Sequence, residues 1–242
     1  ERRREVILTY QLLGSFQSLF DGQAYLHRRS NLGDSVAMRL YEDLHAVNRS
    51  KKFMDRVDTG LSVLNAQNRR QGVKARRGDG SFGEIVPNEV PIKDQGFTVC
   101  RGHIATIEIG IEVKILMKAM IKQIDRVASD LRGQADHFRS RGGNPICVGV
   151  VGINQADHCT SYEGTRDFPT DGKKYKHPIQ EAAEAEARLL QHAAPSFDEF
   201  IILRFKATNV APFPFTWVNK KATDLDYGAA LARISQQYEA RV

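Results

Sequence analysis

Eight consecutive residues, Ile146 to Ile153, read Ile-Cys-Val-Gly-Val-Val-Gly-Ile without a charge. A strand with apolar side chains on both faces must be covered on both faces, so this run calls for a sheet held between two layers. It falls far short of the ~20 apolar residues that span a bilayer, and no signal-peptide-like apolar segment opens the chain. A protein of the cytoplasm, off the membrane, is expected. Three cysteines, Cys100, Cys147 and Cys159, cannot all pair within the chain and lack the close spacing of a zinc set, which fits a reducing compartment. The first residue is Glu1, and further domains beyond this chain are an expectation.

The segments around that run fill out the layers. In 242 residues, 41% are hydrophobic and 26% charged, enough apolar material for a sizeable core. Leu12, Leu13, Phe16, Leu19 and Phe20 mark one helical face. Val36, Leu40, Tyr41, Leu44 and Val47 mark another, with Asp34 placed to cap it. Phe82 to Val86, Phe97 to Cys100 and Ile104 to Lys114 read as a meander of antiparallel strands, separated by turn residues such as Asp94, Gln95 and Gly96. Met117, Met120, Ile121, Ile124, Val127, Ala128 and Leu131 recur at helical spacing, and Gly133 marks the expected end. After the buried strand come an alanine-rich and glutamate-rich helix over about Ile179 to Ala193, a strand from Phe200 to Phe205, and a closing helix from about Asp224. This order predicts an α/β fold, an α/β/α sandwich with a central mixed sheet and flanking helices.

Charge is uneven. The net +6 lies wholly in the first third, where residues 1 to 83 hold 15 basic and 9 acidic side chains against 20 of each in the remainder. Arg69, Arg70, Lys74, Arg76 and Arg77 crowd five cations into nine residues before Gly78, Asp79 and Gly80. This reads as a segment that contacts phosphates, or as a solvated charged loop.

The chemistry lies in Ile107 to Lys114. In an extended strand Ile107, Ile109, Ile111 and Val113 share one face, and Glu108, Gly110, Glu112 and Lys114 the other. Charged groups are seldom buried unless paired or bound to metal, so two carboxylates and an ammonium on an internal strand need a reason. Glu112 and Lys114 stand about 7 Å apart along such a strand, close enough to flank one phosphate and an attacking water. A hard cation such as Mg2+ takes carboxylate, carbonyl and water oxygens, so Glu112 with a second acid would suit it. Lys114 would face the nucleophile and stabilise negative charge in the transition state.

The strand, its Glu-x-Lys tripeptide and the helix that follows resemble the PD-(D/E)XK nuclease superfamily, the restriction-endonuclease-like fold. The resemblance spans Asp34 to Lys206 in element order and Glu112 to Lys114 in sequence. Asp171 to Lys173 repeats the acid-x-lysine spacing, but in a polar stretch without strand character. The resemblance implies a nuclease core over residues 34–206, an N-terminal helical extension over 1–33, and a C-terminal loop and helix over 207–242. It implies a Mg2+-dependent endodeoxyribonuclease, with Mn2+ able to substitute, of restriction or anti-phage defence type, acting on DNA. A nuclease-like DNA-binding or scaffold module without metal chemistry is the alternative.

The family pattern places a further acid upstream, usually after proline. No Pro-Asp dipeptide occurs here, and Asp94 and Glu84 are the first-ranked acids for that second ligand. Some members add a glutamate from the first helix and a glutamine after the lysine, places that Glu42 and Gln123 occupy. Lys118 and Lys122, an i, i+4 pair on the expected helix, are placed to meet a phosphate backbone. Because one site cuts one strand, duplex cleavage would imply a homodimer or larger assembly.

Other signals stay outside this reading. No Gly-Lys-Ser or Gly-Lys-Thr phosphate loop is present, which disfavours a P-loop NTPase. Asn154, Gln155, Asp157 and His158 follow the buried strand as a polar turn or a ligand site. Phe213, Phe215 and Trp217 alternate as core or as a base-stacking row.

Overall fold

The computed structural model describes residues 9–26, 32–65, 80–140, 143–163, 166–170 and 181–242. The basic segment Arg69 to Arg77 and the second acid-x-lysine pair, Asp171 and Lys173, lie outside the described residues.

In chain order the elements are α1 (Gln11–Ser18), α2 (Leu32–Val47), α3 (Lys51–Asp58), β1 (Ser62–Asn65), β2 (Gly80–Glu84), β3 (Arg101–Gly102), β4 (Ile109–Leu116), α4 (Ile124–Arg139), β5 (Ile146–Asn154), β6 (Cys159–Glu163), β7 (Arg166–Thr170), α5 (Ala182–His192), β8 (Glu199–Ala207), β9 (Phe215–Trp217) and α6 (Lys220–Arg241). Seven strands form one mixed sheet in the order β3-β1-β2-β4-β5-β8-β9. β4, β5 and β8 run parallel, and β2 is antiparallel to both β1 and β4. β6 and β7 make a separate hairpin.

The apolar run Ile146 to Ile153 lies in β5, every residue of which is buried. Val148 and Val150 share a core with Ile109, Ile111 and Val113 of β4 and with side chains from α1, α2 and α6. Cys147, Val151 and Ile153 point the other way, into a second core with Leu116 and side chains from α4 and α5. The result is an α/β/α sandwich, as the two-sided apolar run requires. A fully buried side chain such as Phe16 or Phe205 contributes about 1.5–3 kcal/mol through the water it sheds.

Polar groups fix the helix ends. Tyr10 does not cap α1; the carboxylate of Asp43 on α2 accepts instead from the N–H groups of Gln11 (2.7 Å) and Leu12 (2.9 Å). Ser50 and Asn219 cap α3 and α6 by accepting from Phe53 and Ala222. α1 and α6 therefore belong to the same core as the sheet.

Several elements differ from expectation, each for a physical reason. Asp34 lies inside the first turn of α2, which begins at Leu32, and is not its cap. Phe97 to Cys100 forms no strand, because the Glu42 carboxylate accepts the N–H groups of Thr98 (3.0 Å) and Val99 (2.9 Å) that a ladder would use. The helix after β4 starts late: Ala119 is left-handed (φ 46°), Met120–Lys122 is a short 3-10 turn, and α4 begins at Ile124. It then runs through Gly133 to Arg139. A side chain at 133 would meet open space, while Ala135 and Phe138 extend the apolar stripe beyond the glycine. α3, β1, the β6–β7 hairpin and β9 were not anticipated, and α6 begins at Lys220 rather than Asp224.

Candidate active site

β4 lies inside the sheet, between β2 and β5, as its composition requires. In register, Glu112 stands beside Gly149 and Lys114 beside Val151 on β5. β2 begins at Gly80 opposite Ile111, so the strand's Glu112 half extends past β2 as described. Glu112 is 7% exposed. Lys114 is half-buried, and its Nζ donates to Glu112 Oε1 at 2.6 Å. The ion pair offsets part of the cost of taking these charges out of water; a buried partner alone would cost several kcal/mol.

The expected four-residue face of β4 divides at its start. Gly110 lies under the ring of Phe138 on α4, and Glu112 and Lys114 follow it by alternation on that side. Glu108 sits in a bend before the strand and turns to the opposite layer. There its carboxylate accepts from Arg56 Nη2 (2.6 Å), Ser62 Oγ (2.9 Å) and the Tyr238 hydroxyl. Burial, then the adjacent Glu108 charge, pushes the Tyr238 hydroxyl far above its ordinary pKa. Glu108 is thus a core ion-pair residue and no neighbour of Glu112.

The two first-ranked upstream acids are also held elsewhere. Phe82 pairs with Ile109, and Glu84 lies two residues farther from Glu112; at about 3.4 Å per residue that five-residue offset is about 17 Å, too far to share an ion. Glu84 is exposed, 3.8 Å from Arg56. Asp94 is clamped by Arg101, whose Nη2 donates at 2.8 Å and whose Nε also donates to it; that bonding holds its carboxyl below the usual range. Glu89, between them, pairs with His103 at 2.8 Å.

Of the residues placed at the phosphate backbone, Lys118 and Lys122 are not on one α-helix, because the left-handed Ala119 separates them. Lys118 is half-buried with its Nζ 5.9 Å from the ring centre of Phe168 on the hairpin, and Lys122 is exposed. Glu42 is 4% exposed and positions the loop at Thr98, not the strand at Glu112. Gln123 donates to the Lys118 carbonyl at 2.9 Å and closes the 3-10 turn. Asn154 is fully buried and bonded to main-chain groups of Met117, Ala156 and Ala207, so it joins strand ends. Phe215 is core and Trp217 stacks on Phe16, which removes the base-stacking row. Gln134, not expected from the sequence, is a buried polar residue on α4, and its place in the apolar stripe Leu131, Ala135, Phe138 is the signal for it.

Among the described residues no three His, Cys, Asp or Glu side chains come together as a metal group. Glu112 alone offers one carboxylate of the kind Mg2+ accepts, and its described surroundings do not complete a ligand set. No described helix is long and apolar enough to cross a membrane. No family model matches the sequence, and no curated protein or solved structure is significantly similar to it. The arrangement offers a buried carboxylate, an ammonium beside it and a sheet face under a helix, where an ammonium can stabilise negative charge.

Proposed function

We propose that this chain is a metal-dependent nuclease of PD-(D/E)XK type that hydrolyses DNA phosphodiester bonds, with Glu112 as a metal ligand and Lys114 as the residue facing the attacking water. The carrying observation is the pairing of buried Glu112 with half-buried Lys114 at 2.6 Å on an interior strand that leads into the α4 region. Glu112 is the one carboxylate the described site offers to Mg2+ or Mn2+, whose chemistry in such a nuclease would be polarisation of the phosphate and acidification of water. Lys114, already within reach of Glu112, would place its ammonium against charge developing on the phosphate oxygens. The basic segment Arg69 to Arg77, with Lys118 and Lys122, would contribute sequence-independent backbone contacts. A role in restriction or anti-phage defence, in the cytoplasm, belongs to the same proposal.

The second reading is a nuclease-like DNA-binding module without cleavage, favoured by the clamping of Asp94 on Arg101 and the distance of Glu84. Incubation of the chain with plasmid, linear and single-stranded DNA and with RNA, in Mg2+ and in Mn2+, separates the two. Metal-dependent DNA cleavage supports the nuclease; binding without cleavage under every condition supports the module. Cleavage confined to RNA would overturn the DNA assignment. Asp79→Asn, at the acid that adjoins Gly80 in sequence, belongs in the variant set with Asp94→Asn and Glu84→Gln.

A further inference from the structure

On its face of the sheet Glu112 has glycines for neighbours in two directions: Gly110, two residues back along β4, and Gly149, beside it on β5. Aromatic rings fill both places. A Cβ at Gly110 would lie 2.5 Å from the Phe138 ring, and a Cβ at Gly149 would lie 2.6 Å from the Phe200 ring. Both distances are well inside van der Waals contact, so each ring stands where a side chain of the strand would stand. Phe200 on β8 pairs in register with Gly149, which puts its ring on the Glu112 face and turned back across β5. Phe197 backs that ring, with ring centres 5.4 Å apart and its own edge 3.3 Å from the same Cβ position. Phe138 and Phe197 belong to the second core, and Phe200 packs against that core half-buried.

We propose that Phe200 and Phe138 are positioning residues that hold the Glu112 carboxylate against Lys114. A glutamate side chain is long and rotatable, and two uncovered glycines would let it lie back over Gly110 or across Gly149. The rings close both directions. Lys114, two residues on along the same face, meets the carboxylate on the forward side at 2.6 Å. The apolar walls also strengthen the attraction between the two charges, since Glu112 is 7% exposed and little water stands beside it to screen them. The catalytic consequence rests on the nuclease reading above: a carboxylate displaced by about 1 Å can cost up to ~10²-fold in rate, and the rings supply that precision without touching substrate.

Phe200→Ala tests this, alone and with Gly149→Ala, whose methyl fits the space that the lost ring vacates and so restores a wall. The first readout needs no cleavage: the coupling between Glu112 and Lys114, from urea denaturation of Glu112→Gln, Lys114→Met and the two together, measured in each background. The coupling should fall by at least half in Phe200→Ala and return when Gly149→Ala is added. Single-turnover plasmid cleavage in Mg2+ should fall ~10-fold in Phe200→Ala, with DNA affinity within about threefold of the parent, and recover with Gly149→Ala. Phe200→Leu, which loses less packing, should move both readouts the same way and serves if Phe200→Ala does not fold. A coupling that Phe200→Ala and Phe200→Leu leave at the parental value, or that Gly149→Ala fails to restore, overturns the positioning role, as does a parental cleavage rate in Phe200→Ala. A parent that cleaves nothing overturns the nuclease reading instead, and the coupling alone then decides whether the rings hold Glu112.

Discussion

Glu108 and Glu112, four residues apart, one in the bend just before β4 and one within it, serve opposite layers of the sheet: Glu108 is bound by Arg56, Ser62 and Tyr238, and Glu112 pairs with Lys114. The bend at Glu108 lets one short stretch supply both a structural charge and a candidate chemical one. The two roles separate experimentally. Glu108→Gln should lower stability by about 3–5 kcal/mol, since it strands Arg56 in a partly buried site. Tyr238→Phe, which removes one bond to a charged group, should cost about 1.5–3 kcal/mol. Urea denaturation measures both, and neither change should alter cleavage per folded molecule.

Gly110 sets how closely α4 approaches the strand. A Cβ there would lie 2.5 Å from the Phe138 ring. Gly110→Ala should therefore cost about 1–3 kcal/mol through overpacking. Adding Phe138→Leu should make the pair less destabilising than the sum of the single changes, a coupling that a double-mutant cycle reads.

Asp198 joins three elements, accepting from Cys147 N–H on β5 (2.8 Å), Arg241 on α6 (2.6 Å) and Arg139 on α4 (3.4 Å). Its pKa is lowered on folding, so its contribution is complete above the unfolded carboxylate value and fades as pH falls through the folded one. Stability of the parent should decline below about pH 4 more steeply than that of Asp198→Asn, which will be less stable at neutral pH. Thermal melts at a series of pH values compare the two.

Burial pushes the thiol of Cys147 up to about 11 and that of Cys159 up to about 12, while Cys100 is only half-buried. A thiol reagent in native buffer should label Cys100 first, with Cys147 and Cys159 modified only on unfolding. Mass spectrometry of peptides before and after denaturation gives the order.

The sandwich was legible because Ile146 to Ile153 and the stripe from Ile124 to Leu131 carry two-sided and one-sided apolar patterns that admit few other folds. What failed to read were features set by distant partners. Phe97 to Cys100 has strand composition, yet Glu42, 56 residues away from Thr98, takes its N–H groups. β1 and β9 are four and three residues long, too short for periodicity to register. Glu112 and Lys114 were legible because ions on an apolar strand are rare. The acids meant to accompany them were not, since Asp94 and Glu84 are bound by Arg101 and Arg56, contacts that spacing from Glu112 does not reveal.

In the proposed nuclease Glu112 takes part in chemistry and not only in folding. The most direct measurement is the single-turnover rate of Mg2+-dependent plasmid cleavage by Glu112→Gln against the parent, with DNA affinity and urea stability recorded on the same samples. The expected result is a rate lowered by at least ~100-fold with affinity changed less than about threefold and the variant still folded. A folded Glu112→Gln protein that cleaves at the parental rate would contradict the account.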